Sequence, residues 1–374
     1  MNNKKICFSD YNNSTLNMMS SILNHYHVNC DYNTICELDE KIKNANNICL
    51  IILDGLGNNN LDNAVRKGFF QDNKIKIISS VFPSTTVAAI STISSALPPI
   101  SHGLLGWTLR FTEVNKQIEV FRNRYARSDE IVTIDYMKIM KYKNIFTKIK
   151  EVCDTKCFYF KPSSIITTME DSENIGYKNL KSGLKQLVNT LKDQNNTFTY
   201  FYHDYPDKLM HIKGSKSLVT KLKIRKIQRL IAKAKNKLPN TTFIISADHG
   251  LTEINKRIDI TNDPKYKKMF SHHPSIESRA CAFFIKNKYL EEFKKEFVND
   301  YGDDFILYSK EEVLAKELFG SGEKHFKVDS FLGDYLAVAK SGAMISKKGK
   351  NTKEFKASHA GITEDETRVP LIVF

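Results

Sequence analysis

The chain has 374 residues, 41% hydrophobic and 26% charged, enough to bury a sizeable core and too evenly mixed for a disordered or fibrous polymer. Lys and Arg outnumber Asp and Glu by 56 to 42, a formal net charge of +14, which would raise the local concentration of phosphate-bearing ligands. The lysines run from Lys4 to Lys356 among many Asn and Ile residues rather than in one patch, so nucleic-acid binding is disfavoured, and no apolar run is long enough to span a bilayer.

In chain order, "NSTLNMMSSILNHY" has helical spacing and is expected to pack a helix against the main domain. "NICLIIL" (Asn47 to Leu53) is an unbroken apolar run of the kind buried on both faces of a largely parallel sheet, and it stops at "DGLG". A short strand ending at Val81 and Phe82 is followed by Pro83, after which Ser84, Thr85 and Thr86 enter a small-residue helix. Helical stretches at 179–192 and 216–237 alternate with strands at 197–203, 242–248 and 280–286. In the second helix Leu218, Leu222, Ile224, Ile227, Leu230 and Ile231 are expected to face inward. Alternation of strand and helix over this distance predicts a layered α/β fold with helices on both faces of the sheet.

One domain over 1–374 is expected, with the irregular stretch from about 255 to 345 able to hold loops or a small cap. Nothing in the pattern specifies an oligomer. Seven scattered cysteines lack zinc-finger or disulfide-framework spacing, and "MNNKKICFSDYNNS" has no apolar core of a signal peptide. A cytoplasmic location is the expectation.

Chemistry gathers at the strand ends, which border the ligand crevice in open α/β sheets. Asp54 follows the first run. His203, Asp204 and Asp207 follow "TFTYFY", and Asp248 and His249 follow "TFIISA". An Asp-Gly after one strand is ordinary turn chemistry, but three strands ending in Asp or His suggest a metal site. Two divalent ions about 4 Å apart need roughly six to eight ligands. Asp54, Asp207, His211, Asp248 and His249 supply five, and His359 in "KASHAG" a sixth. A nucleophile belongs at a helix N-terminus, where amides and dipole favour an anion. Ser84, Thr85 and Thr86 stand there, each also able to serve only as a helix cap.

The ordered motifs "LDGLG", "FPSTT", "HGLLGW", "PDKLMH", "SADHG" and "SHAG" resemble the alkaline phosphatase superfamily, in its type I phosphodiesterase / nucleotide pyrophosphatase branch, from about residue 48 onward. The resemblance implies an alkaline-phosphatase-like fold and hydrolysis of phosphodiester or pyrophosphate bonds in nucleotides or related small molecules. It implies two metal ions, zinc first and manganese as the alternative. One would be held by Asp207, His211 and His359, the other by Asp54, Asp248 and His249. Thr86, three residues after the proline, would be the nucleophile and a metal ligand, forming a phosphothreonine intermediate.

Two positions depart from the family pattern: Met210 stands where Gly usually precedes the histidine, and Ala89 where nucleotide-cleaving relatives often have Asn. Trp107, Tyr205, His273 and Arg279 are candidate substrate contacts, with Arg110, Phe111 and His272 nearby in sequence, whereas His102 is expected to hydrogen-bond within its own turn. The rivals are phosphomonoesterase, phosphonate hydrolase or phosphoryl-alcohol transferase chemistry within the superfamily. Outside it stands a catalytically silent protein that binds nucleotide or nucleic acid.

Overall fold

Every residue of the strand Asn47–Leu53 is buried, as an Ile- and Leu-rich run must be when both faces of its sheet are covered. In the computed structural model, which describes residues 5–346 and 354–374, this strand is the centre of a seven-stranded sheet. The spatial order is Lys74–Ser79, Arg368–Val373, Thr241–Ser246, Asn47–Leu53, Thr197–His203, Lys156–Pro162 and Glu173–Tyr177. Arg368–Val373 runs antiparallel to both neighbours, and the other pairings are parallel. That one reversed strand matters for the site. Its N-terminal end meets the C-terminal ends of the others, so the segment leading into it arrives at the edge where Asp54, His203 and Asp248 emerge.

Phe198 and Phe201, of opposite parity on one strand, show the two faces. Phe198 meets Tyr26, just after helix Thr15–His25, and Phe146 of helix Ile145–Lys150. Phe201 stacks on Tyr177 and lies under Gly183 of helix Leu180–Leu191, where a Cβ would come within 3.0 Å of the Phe201 ring. Helix Thr15–His25 begins at Ser14 with a reciprocal Ser14–Asn17 cap.

Helix Leu218–Lys235 buries Thr220, Ile224, Ile227, Ile231 and Ala234, a stripe of 3.6-residue period. Leu218 and Leu222, expected inward, are 67% and 50% exposed. Leu222 lies two residues from Ile224 and therefore on the far side of the helix. Leu230 is only partly buried. The strand before Pro83 ends at Ser79 rather than Phe82, and Ser80 leaves the ladder to bond the Asp248 carbonyl.

A second seven-stranded sheet, antiparallel throughout, joins Phe305–Ser309, Tyr335–Ala339, Ala280–Ile285, Phe270–Ile276, Thr108–Phe111, Lys116–Glu119 and Arg124–Tyr125 in that order. The stretch from 255 to 345 thus carries six strands, four of them in this sheet, and the helices Leu290–Tyr301, Lys310–Ala315 and Val328–Leu332 among its elements. Separate apolar clusters cover this sheet, one around Phe111, Ile118 and Phe331, the other around Phe283, Phe293 and Phe297. Among the described residues no helix is long and apolar enough to cross a membrane.

Candidate active site

The turn after Asn47–Leu53 is tied to both neighbouring strands. The Asp54 amide donates to the His203 carbonyl at 2.9 Å, and the Asp207 amide donates to the Asp54 carbonyl at 2.9 Å. Gly55 has φ +77°, and a Cβ there would lie 2.8 Å from the Asp207 Cβ; only glycine lets the two acidic turns come this close. Asp248 is buried at the end of Thr241–Ser246, and its Oδ1 accepts from the amides of Gly55 and His249 at 3.0 and 2.9 Å. Three strand ends are therefore locked into one constellation by backbone bonds.

The imidazoles are oriented by carbonyls. His211, one turn after Asp207 on helix Asp207–Lys213, donates from Nδ1 to the Ala357 carbonyl at 2.8 Å and brings Nε2 within 3.2 Å of Asp207 Oδ1. His249 donates from Nδ1 to the Gly250 carbonyl at 3.1 Å, leaving the Nε2 lone pair facing the carboxylates of Asp248 and Asp54 at 3.4 and 3.6 Å. A carbonyl partner on one ring nitrogen is how metal-ligating histidines are commonly fixed. The ring of His359 stacks on His249 at 3.9 Å and sits 5.2 Å from His211.

All six acidic and imidazole residues expected from the sequence converge. Two sets bring their ligand atoms within 4.8 Å of one another: Asp54, Asp248 and His249, and Asp207, His249 and His359. The first is the set that the resemblance implies. In the second, His249 stands where His211 was expected, with His211 beside Asp207, so the two sets share an imidazole and form one continuous cluster. Met210, the departure next to His211, points away into a small apolar cluster with Leu251 and Ala357.

The three hydroxyls after Pro83 separate cleanly. Ser84 Oγ donates to the Gly361 carbonyl at 3.0 Å, and Thr85 Oγ1 donates to Glu277 Oε1 at 2.6 Å. Thr86, first residue of helix Thr86–Ser95, donates its hydroxyl to His249 Nε2 at 3.1 Å. Thr85 is the N-cap by backbone conformation, but its side chain makes no capping bond. Only Thr86 faces the carboxylate–imidazole cluster.

Electrostatically the cluster is suited to cations. Burial, reinforced by the charges of Asp248 and Asp207, pushes the Asp54 carboxyl well above the usual range, and burial also raises Asp248. Burial opposes the charge on Asp207 too, but His211, through its charge and its hydrogen bond, outweighs it and holds Asp207 well below the usual range. Burial and then His249 push the His359 imidazole far down, keeping it neutral. Asp54 Oδ1, Asp248 Oδ2 and His359 Nδ1 are buried with no hydrogen-bond partner. Orphaned oxygen and nitrogen acceptors in a like-charged buried cluster fit divalent ions that accept mixed carboxylate and imidazole ligands.

The candidate substrate contacts fare unevenly. The half-buried Trp107 ring lies under the Arg122 guanidinium at 5.3 Å, and its amide donates to Glu277 Oε1 at 2.8 Å. Tyr205 stacks on His203 at 5.6 Å with Lys223 Nζ 4.1 Å from its ring. His273 is exposed and lines a basic cavity of about 420 Å³ with Arg110, Arg127 and His272. Arg279 is not open to substrate. It is fully buried, and its guanidinium is committed to Glu366 at 2.7 Å through both Nε and Nη2 and to the carbonyls of Ser341 and Ala343. His102 does bond within its turn, accepting from the Leu104 amide at 3.1 Å, and also reaches Thr92.

Sequence reasoning missed Tyr202, Glu277 and Glu366. Tyr202 was hidden in an apolar run, yet its buried hydroxyl donates to Asp54 Oδ2; its place one residue before the strand-ending His203 was the available signal. Tyr202→Phe is expected to weaken metal binding about 10- to 100-fold, as loss of a partner behind a ligand does. Competition against a chromophoric chelator would read this, and unchanged affinity would reduce the hydroxyl to packing.

Residues 48–362 match the family model for type I phosphodiesterase / nucleotide pyrophosphatase. The fold is similar to that of murine ectonucleotide pyrophosphatase / phosphodiesterase 5 (ENPP5, NPP5), solved alone (17% identity) and as an inactive variant in complex with AMP (16%), and to that of human ENPP5 (17%). Each comparison has a TM-score of 0.66 and covers 87% of both chains. No curated protein sequence matches. Because the family model spans both the strand-end acids and the final histidine loop, the chain belongs to the type I phosphodiesterase / nucleotide pyrophosphatase family and is a hydrolase of phosphodiester or pyrophosphate bonds.

Proposed function

We propose that this hydrolase works at a two-metal centre through a phosphothreonine on Thr86, with a nucleotide or another small phosphodiester or pyrophosphate as substrate. The observation that carries the reading is the Thr86 hydroxyl, at the first position of a helix and 3.1 Å from an imidazole shared by both candidate ligand sets. Asp54, Asp248 and His249 would hold one ion and Asp207, His211 and His359 the other. When bound, the ions would supply the acidity that makes the threonine hydroxyl a nucleophile at neutral pH and the positive charge that meets the departing oxygen. Zinc suits the mixed Asp/His donors, with manganese the alternative.

The remaining steps belong to the chain. His249, fixed by the Gly250 carbonyl, holds the Thr86 hydroxyl at the edge of the cluster; its one free lone pair would pass to an ion on binding, releasing the hydroxyl toward the same charge. The first amides of helix Thr86–Ser95 lack intrahelical acceptors and point toward the phosphoryl oxygens, a role that needs no side chain at Ala89. Attack by Thr86 Oγ1 on phosphorus forms the Thr–O–P bond and breaks the bond to the leaving oxygen. Attack by water then frees Thr86 and releases phosphate ester. AMP bound to the murine ENPP5 variant supports a nucleotide as the substrate class. The odd, scattered set of seven cysteines supports a cytoplasmic setting.

The test compares bis-p-nitrophenyl phosphate with p-nitrophenyl phosphate as substrates. Diester cleavage is expected to vanish on chelation and to return with zinc or manganese. Thermal unfolding should shift in parallel, because metal at about 1,000 times its Kd adds about 4 kcal/mol to the folded state. Cleavage that survives exhaustive chelation would remove the two-metal reading.

A further inference from the structure

We propose that Glu277 sets the charge that the phosphoryl pocket accepts: a carboxylate held beside Thr86 but outside both ligand sets favours singly charged phosphodiesters over doubly charged phosphomonoesters. This deepens the function proposed above and rests on it for the place of the phosphoryl group. Glu277 lies in the turn between strands Phe270–Ile276 and Ala280–Ile285, so the second sheet delivers it to the reactive edge of the first. Its Oε1 accepts from Thr85 Oγ1 at 2.6 Å and from the Trp107 amide at 2.8 Å. One donor precedes the nucleophile in sequence, and the other opens strand Thr108–Phe111, so the carboxyl is pinned from both sides.

The backbone before it is strained for this purpose. Ile276, buried and β-branched, has φ +69°, a conformation such residues rarely adopt and one that clusters at functional sites. Gly106 packs against it, and a Cβ there would lie 2.8 Å from Ile276 Cγ2. The Glu277 amide closes the hairpin on the Ala280 carbonyl at 3.0 Å. The side chain is half-buried; burial pushes its carboxyl above the usual range, while its two donors and the nearby His249 and His211 favour the charged form, as two bound cations would.

Charge balance gives the consequence. Two divalent ions against the carboxylates of Asp54, Asp207 and Asp248 leave one surplus positive charge, and the Glu277 carboxylate cancels it. A phosphodiester brings one negative charge, whereas a phosphomonoester brings nearly two above a second pKa of about 6. At contact distance the extra charge is repelled by the carboxylate.

The deciding variant is Glu277→Gln, whose amide oxygen can still accept from Thr85 and Trp107, so the charge is removed and the anchor kept. Assayed at about pH 8, the ratio of kcat/KM for p-nitrophenyl phosphate to that for bis-p-nitrophenyl phosphate is expected to rise about tenfold or more. Calorimetric affinity of the zinc-loaded protein for inorganic phosphate should rise by a similar factor. Glu277→Asp, if folded, keeps the charge and should keep the wild-type ratio. Equal loss on both substrates with unchanged phosphate affinity would make Glu277 an anchor only and overturn the proposal. Phosphate binding needs no turnover, so absence of diesterase activity in the wild type would sink the proposed function while the titration still decides Glu277.

Discussion

Replacing Thr86 with alanine is expected to lower diester turnover by about four orders of magnitude or more, as removal of a covalent nucleophile from an otherwise intact site does, while the protein stays folded and keeps its metal. The hydroxyl has one partner, His249 Nε2, and alanine is a better helix former than threonine at the start of Thr86–Ser95, so unfolding temperature should hold or rise slightly. Thr85→Val separates the neighbouring hydroxyls. It removes the donor to Glu277 but leaves Thr86 in place, and a loss smaller by at least about tenfold is expected. Single-turnover labelling with a radioactive diester would place the phosphoryl group on residue 86. A Thr86→Ala protein that turned over within about tenfold of the wild type would end the covalent mechanism and leave direct attack by water.

How much of this was legible in the sequence follows from how local each signal is. The strands Asn47–Leu53 and Thr197–His203 were readable to the residue, because burial on both faces demands an unbroken apolar run and the first polar residue marks the end. For the same reason Asp54, Asp207, Asp248 and His249 stood out. Of the second sheet only Ala280–Ile285 was readable, as the apolar run 280–286. The sheet's strands at Thr108–Phe111, Lys116–Glu119 and Arg124–Tyr125 have four, four and two residues, too short to show a period, and Phe270–Ile276 carries His272, His273 and Pro274 in place of apolar residues. Glu277 was therefore hidden in an apparently irregular stretch. Met210 and Arg279 teach a related lesson. A position beside a motif does not say which way its side chain points: Met210 fills an apolar hole, and Arg279 turns into the interior.

Arg279→Met is expected to cost about 3–5 kcal/mol of folding stability, the usual consequence of leaving one member of a fully buried ion pair without its partner. Both Arg279 and Glu366 are inaccessible to solvent and joined through two bonds of 2.7 Å. Glu366 does more than neutralise the arginine. Its Oε1 accepts from the Gly361 amide at 2.7 Å, and its Oε2 accepts from the Thr363 hydroxyl and amide at 2.5 and 3.2 Å. That carboxylate thus fixes the loop just after His359, and Gly361 lies so close that a Cβ would sit 2.8 Å from Arg279 Nη2. Loss of the guanidinium should loosen this loop, so metal affinity should fall along with stability. Denaturant unfolding of the metal-free protein measures the first effect and zinc titration the second. The double variant Arg279→Met with Glu366→Leu removes both charges, and it should recover part of the stability, because a buried pair replaced by apolar groups of similar volume is often close to neutral. It should not recover metal affinity, since an aliphatic side chain in place of the carboxylate cannot accept from Gly361 or Thr363. Full zinc affinity in the double variant would show that the loop holds His359 without the carboxylate, and the pair would then serve the fold alone.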